Sequence, residues 1–490
     1  MVSIFFYGAF VTLALLVAHR KLKRAGAGIN ICLIVIVIAS TAVALILNWL
    51  YVDPTVVKVG QHPEFKATVG YVSGVHCLIL WGVIIYVLHK YFRTQLLIHF
   101  KFDRFEKILI VVALLYMVYI FLLMVVDFGN VPARVSWYDG SDSPLIYDRS
   151  HNWGAAIAYI HIMPGLLYSL IGTPLSFILE FFYKFELVSD LEHWQMIIAC
   201  TSQIIINTLT IVLFYKVLKS LKLNIVVSIV FTAVFLFSHT FIPLSIAPES
   251  YSATLFGILL TIYAYLNIKD RSLFGLLVIF TFFCNPATVA FFLPLYVQIA
   301  MKNKHIFSSL STLYRTKSKS FRYIVAVLGV LVFIATASAL FYIYIYRWVF
   351  RFLGSDSSLY YADLLFGYIL FGQPIAQWNP PSEPIHTALS FDVVMLVVAV
   401  LIYAATIISI FASRKSPVAQ SAAMTLIVAL LLNQVVKQGS SYETMLFVPL
   451  YSYAVYLLLA MGADKVCSSA RQGFSSLKSC KVFSQKYETL

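Results

Sequence analysis

The sequence predicts an all-α polytopic membrane protein with about 13 transmembrane crossings. Three observations predict it. The chain has 490 residues, 61% hydrophobic and only 11% charged, where soluble domains are about 45–50% apolar and about 25% charged. Apolar stretches of 18 or more residues recur along its length, each long enough to cross about 30 Å of hydrocarbon. Alternating the loops between two faces puts 27 of the 35 Lys and Arg on one face, with only 5 of the 21 Asp and Glu. Basic loops resist translocation, so that face is cytoplasmic. The net charge of +14 is therefore a topology signal first; affinity for anionic lipid is secondary, and nucleic acid is not an expected partner.

The elements follow in order. Residues 2–18 are apolar from the start, and the basic HRKLKRAG comes after them rather than before. They read as span 1 with its N-terminus outside, not as a cleaved signal peptide. Span 2 covers 29–52 and opens into an outer loop bearing Asp53, Glu64 and Lys66. Span 3, 70–88, returns to an inner loop with Lys90, Arg93, Lys101, Arg104 and Lys107. Span 4, 108–126, emerges at Asp127. The stretch 127–194 must begin and end outside, because span 5, 196–215, runs into the basic YKVLKSLKLN. It is one long outer loop, acidic and aromatic, with interfacial or re-entrant helices broken at Pro164 and Pro174. A hairpin through the membrane is the competing reading of that stretch.

Span 6, 225–243, and span 7, 252–268, flank a short outer loop, LSIAPESY, that contains Glu249. Residues 273–301 start and end beside basic residues, yet at 1.5 Å per residue they are too short for two full spans. The CNPAT in their middle predicts a helical hairpin that turns inside the protein, since irregular backbone at that depth needs cover. Span 10, 323–346, leads to a second large outer loop, 347–390; spans 11, 12 and 13 cover 393–412, 418–436 and 445–461. The resulting organisation is a three-span N-terminal addition over 1–107, a core over 108–301, C-terminal spans over 302–462, and a basic cytoplasmic tail over 463–490. The cysteines Cys32, Cys77, Cys200, Cys284, Cys467 and Cys480 lie in apolar stretches or the tail, and no disulfide framework or zinc spacing is expected.

Ionisable residues are nearly absent from span centres, where His239 and Asn433 are the nearest polar candidates; the acids gather at outer span ends and in outer loops. That favours a site at the outer face over a pathway through the bilayer. Asp127, Asp139, Asp142 and Asp148 stand with Arg134, Arg149, His151 and His161. Such a set could coordinate a divalent cation, Mg or Mn, supply a general base, or form a solvated polar loop. Glu249 sits between two apolar spans, either as a functional carboxylate or as an acid favoured by the dipole of span 7. Arg347, Arg351, Tyr360, Tyr361, Gln377, Trp378 and His386, with Lys437, Tyr442 and Glu443, could bind a lipid-linked phosphate through guanidinium forks or could be interfacial anchors. No nucleotide-binding glycine motif, zinc-protease motif or nucleophile elbow occurs in a usable context.

The pattern resembles the GT-C superfamily of integral-membrane glycosyltransferases: a span ending in an acid (Asp127), a long outer loop with interfacial helices, and a second acid (Glu249) in the short outer loop two spans later. LSIAPESYSATLFGILLTIYAYL, TFFCNPATVAFFLPL and KQGSSYETMLFVPLYSY are most similar to bacterial members, over about 108–461. The resemblance implies a cell-envelope transferase in a bacterial plasma (inner) membrane, with its C-terminus cytoplasmic. It would move a sugar from a polyprenyl-phosphate donor to a glycan, lipid or protein acceptor at the extracytoplasmic face. Many members carry Asp-Glu after the first of these spans; here Asp127 is followed by Phe128 and Gly129, so the implied base is one of Asp127, Asp139 and Asp148. Glu249 would orient the sugar or assist a metal. Arg134, Arg149, His161, Arg347, Arg351, His386, Lys437, Tyr442 and Glu443 would bind substrate. The rival readings are a flippase or transporter for a lipid-linked glycan, which calls for a polar mid-bundle, and a glycan polymerase or ligase, which favours an arginine-rich outer loop.

Overall fold

The computed structural model describes residues 12–20, 31–51, 102–128, 191–238, 250–268, 271–285, 288–302, 393–436 and 449–487, with a few isolated positions between them. Every regular element among the described residues is a helix. We number them α1 (Ile31–Tyr51), α2 (Arg104–Phe128), α3 (Leu191–Ser220), α4 (Ile225–Leu236), α5 (Ser250–Asn267), α6 (Arg271–Cys284), α7 (Thr288–Phe291), α8 (Leu293–Lys302), α9 (Val393–Ala412), α10 (Pro417–Val436) and α11 (Pro449–Tyr487). The expected spans 70–88 and 323–346 lie outside the described residues apart from isolated positions.

Two of these helices are long and apolar enough to cross a membrane, over Arg104–Leu123 of α2 and Cys200–Ser220 of α3. They distribute their surfaces in opposite ways. The more apolar stretch, on α2, is only 22% buried, whereas the more polar stretch, on α3, is 83% buried. Large side chains such as Val111, Leu115, Tyr119 and Leu122 of α2 face outward, while Ser202, Gln203, Asn207 and Thr210 of α3 are fully buried. In water the reverse sorting is the favourable one, because apolar area gains by leaving the solvent.

Several boundaries differ from the sequence expectation. α3 begins at Leu191, so the last residues of the expected outer loop 127–194 are helical. α2 runs through Asp127 to Phe128, placing that acid in a last helical turn rather than in a loop. α4 stops at Leu236, short of the expected span end at Pro243. α11 continues for 39 residues, about 58 Å, so the tail from 463 to Tyr487 prolongs the preceding helix. The expected break in 273–301 is present: α6 ends at Cys284, and Asn285 bonds the backbone N–H and hydroxyl of Thr288 through its carbonyl. Pro286 follows, which disfavours the helical conformation at Asn285.

The chain divides into two compact units, Met1–Val217 with Phe241–Thr288, and Leu218–Thr240 with Val289–Leu490. In the first, α5 and α6 form an antiparallel pair. Thr261 and Thr281 bring their hydroxyls within 3.1 Å, and Tyr265 meets Phe274 near the joining turn. Gly257 lets the backbones approach: a Cβ there would lie 3.1 Å from the Thr281 hydroxyl and 3.2 Å from the Phe280 ring. Hydroxyl pairs and small residues serve helices whose surroundings give no hydrophobic drive to associate.

In the second unit α11 is the hub. It packs against α4, α9 and α10, while α8 packs on α10. Thr425 and Tyr453 share a buried hydrogen bond of 3.0 Å, and Ser421 donates to the Phe291 carbonyl. Phe235 stacks at an angle on Tyr456. One stretch of α11 anchors the ends of two neighbours. The Asp464 carboxylate accepts the backbone N–H of Asn224, just before α4, at 2.7 Å. The Lys465 ammonium donates to the carbonyl of Ala412, the last residue of α9. An acid at a helix start and a cation at a helix end both oppose the local peptide dipoles. The N-terminus of α4 and the C-terminus of α9 therefore share one level along α11.

Gly462 is the contact point of α11 with α9: a Cβ there would fall on the Ser409 hydroxyl and lie 2.8 Å from the Ser409 Cβ. Gly462→Ala is expected to destabilise the second unit by about 1–3 kcal/mol through overpacking, read as a lower thermal midpoint of the detergent-purified protein. Adding Ser409→Gly should restore most of the loss. An unchanged midpoint in Gly462→Ala would show that the helices are not in close contact there.

Candidate functional site

In the first unit α2 and α3 are joined at two levels. At the first, the sequence Phe102-Asp103-Arg104-Phe105-Glu106 opens α2 with a reciprocal cap. Asp103 Oδ1 accepts the Glu106 N–H at 2.7 Å, and Glu106 Oε2 accepts the Asp103 N–H at 3.1 Å. Glu106 Oε2 also meets Lys216 Nζ of α3 at 2.9 Å, with the two side chains 1% and 6% exposed. The ammonium lies 5.0 Å from the Phe102 ring centroid, and Phe105 stacks on Tyr215 at 4.9 Å. Burying both charges is costly, and the pair holds because the carboxylate is capped and the ammonium sits over a ring. With its carboxylate committed to the cap and the ammonium, this cluster fixes geometry rather than performing chemistry.

At the second level, the Thr208 hydroxyl of α3 lies 3.7 Å from the Met117 sulfur of α2. Glu106 facing Lys216 and Met117 facing Thr208 make the two helices antiparallel. Continued at helical rise, that register brings the last turn of α2, with Asp127, level with about residue 198 of α3. The start of α5 reaches nearly the same level: Gln203 Nε2 of α3 donates to Ser252 Oγ, in the first turn of α5, at 2.5 Å. The end of α2 and the start of α5 thus lie within roughly 8 Å of each other along α3. Glu249 directly precedes α5 in the sequence. Between this end and the Thr208 contact α3 buries Ser202, Gln203 and Asn207.

The backbone of Asp127 is therefore placed at one end of this helix trio. Asp139, Asp142, Asp148, Glu249, Arg134, Arg149, His151, His161, Arg347, Arg351, His386, Lys437, Tyr442 and Glu443 lie outside the described residues. So do Tyr360, Tyr361, Gln377, Trp378 and His239. Among the described residues no group of three metal-ligating side chains occurs. Two features escaped the sequence reading. Glu106, not singled out in the sequence, and Lys216, there only part of the basic YKVLKSLKLN, are buried partners; the Asp-x-x-Glu before an apolar run was the available signal. To His239 and Asn433, the polar candidates named from the sequence, the structure adds Gln203 and Asn207, buried and spaced four apart on one face of α3.

Before α3, Phe181, Phe182, Tyr183, Phe185 and Leu187 form an exposed apolar cluster. The chain turns there through Glu186 at φ 58°, with Glu186 N–H on the Tyr183 carbonyl and Leu187 N–H on that of Phe182. Lys222 repeats the same helix-ending motif after α3, at φ 60°. No protein-family model, curated protein or solved structure matches the chain.

Lys216→Met should leave the Glu106 carboxylate buried without its cation and cost about 3–5 kcal/mol. Glu106→Gln with Lys216→Met should recover a large part of that loss. Thermal midpoints of the purified single and double variants would test this, and strictly additive losses would mean that the two charges are not coupled.

Proposed function

We propose that the chain is a polytopic membrane glycosyltransferase of GT-C-like architecture. On this reading it transfers a sugar from a polyprenyl-phosphate donor to an acceptor at the outer face of a bacterial plasma membrane, with its N-terminus outside and C-terminus cytoplasmic. The observation that carries the reading is the register along α3, which brings the helix ending at Asp127 and the helix following Glu249 to one level. The membrane part is supported by α2, apolar and outward-facing, beside the more polar, buried α3. The exposed aromatics at 181–187 suit a segment at the membrane interface.

In the proposed reaction a carboxylate, Asp127, Asp139 or Asp148, takes the proton of the acceptor hydroxyl. The acceptor oxygen forms its bond to the anomeric carbon as the bond from that carbon to the donor phosphate oxygen breaks. Polyprenyl phosphate leaves with the electron pair, held by an arginine such as Arg134, Arg149, Arg347 or Arg351. Glu249 orients the sugar. Direct displacement of this kind inverts the anomeric configuration.

A second reading, a carrier or flippase for a lipid-linked glycan, is favoured by the buried polar face of Gln203 and Asn207. One assay separates the two. Purified protein is given a panel of radiolabelled polyprenyl-phosphate sugars, in detergent and in liposomes. Transfer or donor hydrolysis by the wild type, reduced at least about 100-fold in Glu249→Ala at unchanged thermal midpoint, is the expected outcome. Full activity in Glu249→Ala removes that residue from the site. Movement of donor across the liposome bilayer without any bond cleavage would establish the carrier instead.

A further inference from the structure

In the second unit an open groove of about 360 Å³ runs between α8, the end of α9 and the first half of α10. The small residues Ala419 and Ala423 of α10 and Pro294 of α8 line it, together with Met424 and Ile427. Ala419, Ala423 and Ile427 are spaced four apart on one helix face, giving a channel about 12 Å long. The walls are almost wholly apolar, and Arg414 stands at one end. Arg414 and its neighbour Lys415 are exposed, and neither has an ion-pair partner among the described residues. The turn from Ser413 to Pro417 that carries them contains no acid. Gln420 Nε2 donates to the Arg414 carbonyl at 2.7 Å, fixing the backbone at the mouth while the guanidinium stays free to point elsewhere.

An apolar channel closed at one end by unpaired cations matches an amphiphile with an anionic head. We propose that this groove binds one anionic phospholipid, with an acyl chain along Ala419, Ala423 and Ile427 and its phosphate on Arg414 and Lys415. The inference rests on the membrane part of the reading above and is independent of the transferase part. Charge selects the headgroup. A choline head would bring its own cation beside Arg414 and Lys415, whereas a glycerol head leaves the phosphate charge uncompensated for them. A free phosphate would use the cations and leave the channel uncovered. The turn belongs to the face that the charge distribution assigns to the cytoplasm, so the lipid comes from the inner leaflet.

The test is native mass spectrometry of the detergent-purified full chain, titrated with phosphatidylglycerol or phosphatidylcholine of identical acyl chains. Retention of one phosphatidylglycerol about tenfold more tightly than phosphatidylcholine is expected. Arg414→Gln should bring phosphatidylglycerol down to the phosphatidylcholine level. Ala423→Phe, which fills the channel, should weaken both lipids, and Lys222→Gln, an exposed cation at another helix end, should change neither. Soluble glycerol phosphate should not displace the bound lipid. A preference that survives Arg414→Gln, binding that Ala423→Phe leaves unweakened, or no preference in the wild type, overturns the proposal. Displacement by glycerol phosphate also overturns it, in favour of a free-phosphate site. Whether the chain stays with membranes after alkaline extraction is read separately and tests the membrane reading alone.

Discussion

The contact between Glu106 and Lys216 sets the register on which the description of the first unit depends. Two charges that are 1% and 6% exposed tolerate burial only when every competing demand on them is met. The cap at Asp103 and the Phe102 ring meet those demands, and the Phe102 ring and the Phe105–Tyr215 stack tie the start of α2 to the end of α3. A slip of even one residue along α3 would turn Lys216 by about 100° away from the carboxylate. The antiparallel alignment is thereby fixed at one end, and its consequence appears some 30 Å away, where the last turn of α2 comes level with the start of α5.

Polar contacts between helices recur elsewhere in both units. The Gln203–Ser252, Thr261–Thr281 and Thr425–Tyr453 pairs each bridge two helices from buried positions. Most buried serines and threonines also bond a carbonyl one turn back on their own helix, as Thr208, Thr210, Thr232 and Thr406 do. Such side chains carry their own satisfaction with them, so they can be buried without a water. Outward, α2 and α9 present rows of Val, Leu and Ile. This is the sorting that lipid surroundings favour, where packing and hydrogen bonds rather than apolar burial hold helices together.

In the second unit the same logic works through one helix. α11 supplies a carboxylate to one helix start, an ammonium to another helix end, and a glycine where the side chain of Ser409 needs room. The three lie within four consecutive residues, Gly462 to Lys465, so the ends of α4 and α9 are both set from a single turn of α11. The groove beside Arg414 follows from that placement, since the end of α9 forms part of its mouth.

The sequence by itself determined the helices. Lengths of apolar run and positions of basic loops mark 393–412 and 418–436 almost to the residue, because a helix in an apolar setting is governed by local composition and by where charges stop it. Asn285-Pro286 marks the break in 273–301 for an equally local reason, the clash of a proline ring with preceding helical backbone. Only the tertiary structure decided which charges are solvated and which are paired. Lys216 and Lys222 are both basic residues just beyond an apolar stretch, yet one is buried on Glu106 and the other is exposed. Likewise Gln203 and Asn207 are diluted by their apolar neighbours when read along the chain, and become a buried polar face only once α3 is enclosed. The physical reason is range. Helix formation is decided within a few residues, whereas the partner of a buried charge or amide lies tens of residues away: 110 for Glu106 and Lys216, 49 for Gln203 and Ser252.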